Sequence, residues 1–224
     1  MQPKLLEQDN GCGVEERFSL CSRDISVLTQ IYDENINIAL WQRQLSEAVN
    51  HDVANILHTN MHLNVSAYID AKSIKSDVAN TLIKVESGHA LVANISELVD
   101  MFCILFEQKQ IGLRLRLLDS PMCPRFHVDR VPCRLVTTFS GSGSQWLEHE
   151  CVDRSKLGHG SKGLDDSVSG LFDSPESIRT ASAGDVALFK GETWYGNENA
   201  GIIHRSPPFV EGQKRLLMTL DFIA

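Results

Sequence analysis

The chain of 224 residues carries 21 lysine and arginine residues against 29 aspartate and glutamate residues, a formal net charge of −8. A nucleic-acid-binding protein needs concentrated positive charge to neutralise phosphates, so this acidic balance argues against a nucleic-acid partner. Hydrophobic residues make up 42% and charged residues 22% of the chain, which is typical of a globular protein with enough apolar surface for a core and excludes a disordered, collagen-like or coiled-coil chain.

The first half of the chain has helical apolar spacing, after a poorly defined lead-in over residues 1–33. Apolar residues recur every three or four positions over residues 34–59, which predicts one long helix or two short ones. The same spacing predicts a shorter helix over residues 78–85 and a strong helix over residues 95–106. We therefore expect residues 34–110 to form a helical region.

The apolar period changes toward two after about residue 110, where leucines alternate with Arg114 and Arg116. These arginines share one face of a predicted strand, and they face solvent or line the mouth of a barrel if that face turns inward. Turn-forming glycine, serine and aspartate residues separate the later apolar segments. Further strands are predicted over residues 125–129, 133–139, 185–190, 201–205 and 215–223.

This order of elements predicts an α+β fold. A helical N-terminal half would pack on a C-terminal double-stranded β-helix, which is a jelly-roll or cupin-like barrel. The barrel region would span residues 111–224, and the polar stretch over residues 149–181 is interpreted as a long insertion between strands. Both parts are expected to form one compact domain.

The segment over residues 123–133 carries the strongest chemical signal. Side chains at positions i and i+2 of an extended segment point to the same side, so His127 and Asp129 would present an imidazole and a carboxylate together. His204 ends a predicted apolar strand and is the candidate third ligand. Two histidines and one carboxylate form the facial triad that binds Fe(II) and leaves positions open for oxygen and a co-substrate.

Arg215 begins the last predicted strand, eleven residues after His204. A guanidinium there is suited to hold a carboxylate through two parallel hydrogen bonds. The HxD pattern, the distal histidine and this arginine resemble the double-stranded β-helix dioxygenases that use Fe(II) and 2-oxoglutarate. The resemblance implies iron on His127, Asp129 and His204, 2-oxoglutarate on Arg215, and hydroxylation of an unknown small-molecule or protein substrate.

More narrowly, the chain resembles the uncharacterised bacterial family called domain of unknown function 1826. The resemblance covers roughly residues 30–224 and rests on segments 122–132, 184–191 and 204–208 and on the Gly-rich turn before Trp146. Members of that family tend to be encoded near zinc-responsive genes and nucleotide-dependent metal chaperones. The resemblance thus also implies a role in zinc homeostasis with a metal-chaperone partner.

The cysteines beside the HxD pattern keep a zinc-binding alternative open. Cys123 and Cys133 would add thiolates to the same histidine and aspartate, and Zn(II) prefers such donors in a closed four-coordinate site. However, Cys133 lies roughly 13 Å beyond Asp129 along an extended chain, and packing is the commoner role of a free cysteine. A third hypothesis is a barrel that serves as a scaffold for protein contacts without a metal.

Three arginines, Arg125, Arg130 and Arg205, flank the predicted ligands. They are suited either to bind an anionic substrate or to pair with acidic groups.

The sequence shows no targeting signal. No window approaches the roughly 18 apolar residues of a membrane span, and the first residues lack the apolar centre of a secretory signal. The six cysteines show no CxxC pair, which indicates reduced thiols. We therefore expect a cytoplasmic protein without a membrane partner.

Overall fold

A computed structural model of the chain describes residues 17–59, 62–83 and 88–223. Within these residues the protein is a mixed α+β structure, with a 3₁₀ helix over Ile25–Tyr32 after the first strand. The strands and α-helices follow in the order β1 (Phe18–Ser22), β2 (Ile36–Trp41), α1 (Glu47–Thr59), β3 (Asn64–Asp70), α2 (Ile74–Leu82), α3 (His89–Leu105), β4 (Gln110–Leu118), β5 (Cys133–Ser140), β6 (Gln145–Leu147), β7 (Ile178–Thr180), β8 (Val186–Lys190), β9 (Ile203–Arg205) and β10 (Arg215–Phe222).

The strands form two sheets. The major sheet has seven strands in the order β1-β2-β8-β5-β10-β4-β3, and the minor sheet has three in the order β7-β6-β9. Only the pairing of β1 with β2 is parallel among these strands. Every described helix is too short or too polar to cross a membrane.

Successive side chains of β10 point to opposite faces of the major sheet and pack into two separate layers of the core. Leu216, Met218 and Leu220 point to the face of the major sheet that the helices cover, where they pack with helical residues such as Leu98. Leu217 points the opposite way and packs with Trp146 of β6. We call this opposite face, which the minor sheet partly covers, the inner face of the major sheet. Burying each such leucine stabilises the fold by about 1.5–3 kcal/mol.

The expected helical N-terminal half is wrong, because three strands of the major sheet precede residue 110. The predicted helix over residues 34–59 is strand β2 followed by α1. The residues of β2 are almost all apolar, and they are buried on both faces of the strand. Such a run has no hydrophobic period by which a strand could be distinguished from a helix. The lead-in over residues 1–33 contains β1 and the 3₁₀ helix, and residues 1–16 lie outside the described residues.

The other helices match the expectation in part. The segment 78–85 overlaps α2, which ends at Leu82, and residues 84–87 lie outside the described residues. The helix predicted over residues 95–106 is α3, which begins six residues earlier at His89.

The strands predicted after residue 110 agree more closely with the observed strands, except for one segment. Segment 125–129 is not a regular strand, and within it only His127 is paired, in an isolated bridge with His204. Segment 149–181 contains short 3₁₀ turns and ends in β7. Leu171 from this segment is buried with Leu147 and Ile203, so the insertion covers the outer face of the minor sheet.

Candidate metal centre

The two candidate histidines are held together by main-chain hydrogen bonds. The backbone N–H of each donates to the carbonyl oxygen of the other at 3.0 Å, which makes His127 and His204 a directly opposed pair. Their ring centroids lie 4.5 Å apart. His204 also lies opposite Trp146 in the minor sheet, so its ring points to the inner face, where it contacts the Phe189 ring at 4.9 Å between centroids.

Both imidazoles are oriented by carbonyl oxygens on their Nδ1 side. His127 Nδ1 lies 3.0 Å from the Arg125 carbonyl oxygen, and His204 Nδ1 lies 3.2 Å from the Ile202 carbonyl oxygen. A carbonyl only accepts, so each Nδ1 carries the proton in the neutral ring and leaves the Nε2 lone pair free. Such second-sphere carbonyl contacts are common for metal-binding histidines.

The Nε2 atoms converge on Asp129. His127 Nε2 lies 3.6 Å from Asp129 Oδ1, and His204 Nε2 lies 3.4 Å from Asp129 Oδ2. One ligand atom from each of the three residues lies within 4.8 Å of the other two, and no further His, Cys, Asp or Glu joins the group in the part of the chain that the structure describes. Ligands about 2.1 Å from one ion at right angles would be about 3.0 Å apart, so the three groups would move closer together to hold one ion.

Arg134 ties this carboxylate to a second one. Its Nη1 donates to Asp129 Oδ2 at 2.5 Å, and its Nε donates to Asp221 Oδ1 at 2.5 Å. Asp221 also accepts from Arg114 Nη1 at 2.8 Å. Burial alone would raise the pKa of Asp129, but its contacts with the imidazoles of the two histidines and the charge of Arg134 hold that pKa well below its usual range. The carboxylate is therefore ionised and available as a ligand.

The protonation of His127 opposes metal binding at low pH. Burial would lower the pKa of His127, but hydrogen bonds with Asp129 and with the Arg125 carbonyl raise it above its ordinary value. A metal ion must displace this proton, so metal affinity falls as the pH decreases.

Two glycines allow the segment that carries Asp129 to pack closely. A Cβ atom added to Gly191 would lie 2.1 Å from the Val131 carbonyl oxygen, and one added to Gly201 would lie 2.6 Å from Val128 Cγ1. The backbone N–H of Glu192 donates to the Asp129 carbonyl at 3.1 Å. Close packing against these glycines thus fixes an irregular segment that has no strand ladder of its own.

Arg215 lies on the inner face, at the start of β10. Its Nη2 donates to Thr138 Oγ1 at 3.1 Å and to Ser144 Oγ at 2.8 Å, while its Nε is buried without a hydrogen-bond partner. No carboxylate lies within 4.0 Å of it in the described residues. Burial without a compensating negative charge lowers the pKa of Arg215 to about 10. The site is therefore suited to an anion.

The remaining candidates lie elsewhere. Cys133 is fully buried in the layer between the helices and the major sheet, where burial raises the pKa of its thiol, so the structure does not bring it to the histidines. Cys123 is half-buried and does not belong to the three-residue group. Arg125 and Arg205 both pair with Asp166 from the insertion, at 3.5 and 3.4 Å.

Sequence patterns did not single out Arg134, Asp221 or Phe189. Each belongs to a predicted strand. The sequence pattern alone did not distinguish a single buried charged residue on such a strand from one that faces solvent. The usable signal is that Arg134 and Asp221 interrupt otherwise apolar runs, since charges inside such strands are rarely buried without a partner.

The fold is similar to that of a solved dioxygenase structure. The dioxygenase for auxin oxidation 1 from Arabidopsis thaliana, in complex with 2-oxoglutarate, is 9% identical, with 93% of this chain and 92% of that chain covered and a TM-score of 0.53. A putative oxygenase from Shewanella oneidensis is 9% identical (92% and 89% covered, TM-score 0.48). A prolyl-4-hydroxylase from Pseudomonas putida is 13% identical (88% and 96% covered, TM-score 0.45). At 9% identity the first likeness shows a shared fold, and the two weaker ones add nothing to it.

The chain belongs to the family described as protein of unknown function (DUF1826), whose model matches residues 22–221. No curated protein matches the chain. The family description assigns no activity.

Proposed function

We propose that the protein is a mononuclear non-haem oxygenase that uses Fe(II) and 2-oxoglutarate to hydroxylate an unidentified substrate. In this proposal the major and minor sheets are the two walls of a double-stranded β-helix. The observation that carries the proposal is the convergence of His127, Asp129 and His204, with no fourth donor of these types in the described residues. A three-ligand site leaves positions open for a co-substrate and oxygen, whereas structural zinc sites are closed by four ligands.

His127 and His204 would bind Fe(II) through Nε2, and Asp129 through one carboxylate oxygen. Arg134 would keep that carboxylate ionised and oriented. Bound iron supplies the oxidation of 2-oxoglutarate by dioxygen to succinate and carbon dioxide, with the second oxygen atom inserted into a C–H bond of the substrate.

Arg215 would bind the carboxylate of 2-oxoglutarate that lies far from the metal. Thr138 and Ser144 hold Nη2 through their hydroxyl oxygens and so orient the guanidinium plane. Nε is left without an acceptor, and a carboxylate would supply one together with the missing negative charge.

The main alternative is a zinc-handling protein that uses the same three side chains and a metal-chaperone partner. That alternative gives Arg215 no role, although a guanidinium buried without a carboxylate is unfavourable. The placement of Cys133 also gives no support to a closed site with thiolate ligands. A scaffold without a metal explains neither the converging ligands nor the buried arginine.

The decisive experiment measures binding of metal and 2-oxoglutarate under anaerobic conditions. Fe(II) added together with 2-oxoglutarate should give the visible charge-transfer absorption of an iron–oxo-acid chelate. The absorption should vanish in His204→Ala, and in Arg215→Gln it should require a much higher 2-oxoglutarate concentration. Arg179→Gln removes an exposed arginine and should behave as the unsubstituted protein.

Admission of oxygen should then release succinate slowly, even without substrate. Tight zinc binding without either the absorption or succinate release would overturn the oxygenase assignment in favour of zinc handling.

A further inference from the structure

The inner face of the major sheet extends beyond the minor sheet on the side of β4 and β3. On the helix-covered face of these two strands the residues are apolar and buried, as Ile69 and Leu115 are. On the inner face the opposed side chains of the two strands are polar or aromatic and mostly exposed, and the Tyr68 residue is 72% exposed. We call this surface the shelf, and its members are Asn64, Ser66, Tyr68, Arg114 and Arg116.

The shelf is connected to the candidate metal centre by charged contacts. Asp129 contacts Arg134 at 2.5 Å, Arg134 contacts Asp221 at 2.5 Å, and Asp221 contacts Arg114 at 2.8 Å. Arg116 lies two residues further along β4 and so about 7 Å from Arg114 on the same face. A molecule lying on the shelf would therefore extend toward the metal ligands.

Arg116 lies beside these contacts and, unlike Arg114 and Arg134, has no carboxylate partner in the described residues. Arg114 and Arg134 each have a carboxylate partner in Asp221, whereas no carboxylate lies within 4.0 Å of Arg116 in the described part of the chain. Its Nη1 faces the Met122 sulfur at 2.9 Å, and a thioether is a weak acceptor. Its Nε is buried without any partner.

The arginine that would hold the co-substrate lies beside the shelf on a different strand. Arg116 is opposite Leu217 and Arg215 is opposite Leu118, so the two arginines are diagonal neighbours on β4 and β10. Arg215 already has two hydroxyl partners, from Thr138 and Ser144. The hydroxyl groups orient Arg215 toward an anion of its own, whereas Arg116 has no oxygen partner in the described residues and is available for a second anion.

We propose that Arg116 binds a carboxylate or phosphate group of the substrate, and that the shelf thereby presents the rest of that organic anion to the metal centre. This assignment of a substrate class rests on the proposed oxygenase function. Tyr68 lies opposite Gly112, which in turn lies opposite Asp221, so an exposed ring on the edge strand β3 flanks the shelf at the level of Asp221 along the strands.

The test uses the full metal-free chain and two probes, benzoate as a carboxylate and phenyl phosphate as a phosphate. The Nε–H signals of the arginines are followed by NMR with saturating 2-oxoglutarate present, and each signal is assigned by its loss in an Arg→Gln variant. We expect saturable movement of the Arg116 signal with at least one probe. Benzylamine, which is cationic, should produce none.

The dissociation constant of the bound probe should rise at least tenfold in Arg116→Gln. It should change less than twofold in Arg179→Gln, which removes the same charge from exposed surface of the minor sheet, and less than twofold in Arg215→Gln. Arg116→Lys keeps the charge without the planar fork and should give an intermediate value.

Absence of binding by both probes to the unsubstituted protein would overturn the proposal. So would unchanged affinity in Arg116→Gln, or a loss that follows Arg215→Gln instead, because the anion would then occupy the co-substrate site. These measurements need neither iron nor turnover. Failure of the oxygenase assignment, seen as absent iron–oxo-acid absorption, is therefore a separate result from failure of the anion site.

Discussion

Arg134 bridges Asp129, five residues before it, and Asp221, 87 residues after it, with hydrogen bonds of 2.5 Å to each carboxylate. One guanidinium thus fixes a candidate metal ligand in an irregular segment to a regular strand of the major sheet. The same contact favours the ionised form of Asp129, the form that binds a metal.

We expect Arg134→Gln to raise the dissociation constant for Fe(II) by about 10–100-fold, the usual effect of losing a partner that orients a metal ligand. The pKa of Asp129 should rise in the variant, so metal binding should also be lost at a higher pH than in the unsubstituted protein. Anaerobic calorimetric titration at several pH values measures both effects. Equal affinity in Arg134→Gln and Arg179→Gln would show that the bridge does not support the site.

Gly191 should be intolerant of a side chain. An added Cβ would lie 2.1 Å from the Val131 carbonyl oxygen, so Gly191→Ala must displace the segment that carries Asp129. We expect the free energy of unfolding to fall by about 1–3 kcal/mol, as for other overpacked sites, and metal affinity to fall with it. In Gly112→Ala, the matched control, the added atom meets nothing nearer than 3.8 Å. Equal melting temperatures for the two alanine variants would contradict this account.

The sequence grouped the three side chains that converge in the structure better than it predicted the elements that carry them. His127 and Asp129 were paired by the two-residue period of a strand, yet segment 125–129 holds only one bridge. The two side chains still point to the same side, because an extended backbone directs alternate side chains to one side even where it is not hydrogen-bonded along its length to a neighbouring strand. Whether these side chains meet His204 depends on contacts across the fold, which a local period does not contain.

The same limit explains the failed predictions. Strand β2 was taken for a helix because Ile38 and Trp41 continue the helical spacing of the apolar residues that follow them. A short apolar run has no period of its own, so only its position inside the major sheet identifies it as a strand. The partners of Arg125 and Arg205 were left open, because Asp166 lies in the insertion and meets them only after folding. Neither the strand assignment of β2 nor the partners of these arginines can be predicted from local sequence patterns.

Arg215→Met should separate stability from co-substrate binding. The guanidinium is buried without a carboxylate, so its removal should raise the free energy of unfolding of the metal-free protein by about 1 kcal/mol, or about 2–4 °C in melting temperature. The dissociation constant for 2-oxoglutarate should rise at least about 100-fold. Thermal denaturation with and without the ligand measures both. A variant that is less stable yet still stabilised by 2-oxoglutarate would contradict the assigned role.

Asp166 should hold the insertion against the minor sheet. It accepts the backbone N–H of Phe126 at 2.9 Å and pairs with Arg125 and Arg205. Asp166→Asn keeps the shape but removes the charge, and we expect a loss of about 1–3 kcal/mol. Amide hydrogen exchange should quicken over residues 149–177 before it changes in the helices. Asp165→Asn alters the exposed neighbouring carboxylate, and identical exchange in both variants would argue against this anchor.

Lys190 should make the stability of the protein depend on pH in the alkaline range. Its Nζ donates to the Asp33 carbonyl at 2.7 Å and lies 5.1 Å from the centroid of the Trp194 ring. Burial lowers the pKa of Lys190 from 10.5 to about 8, and the charge of Arg17 acts in the same direction. Between these two values the unfolded chain binds more protons than the folded protein, so the free energy of unfolding rises with pH from about 8 to about 10.5.

Lys190→Met should lack this part of the rise while keeping most of the packing of the straight side chain. The measurement is urea-induced unfolding at one-unit pH intervals from 7 to 10, with the difference between the two proteins plotted against pH. Lys75→Met replaces an exposed lysine and should give a curve parallel to that of the unsubstituted protein. A parallel curve for Lys190→Met as well would mean that Lys190 is protonated throughout this range, and that the carbonyl and the Trp194 ring compensate for its burial.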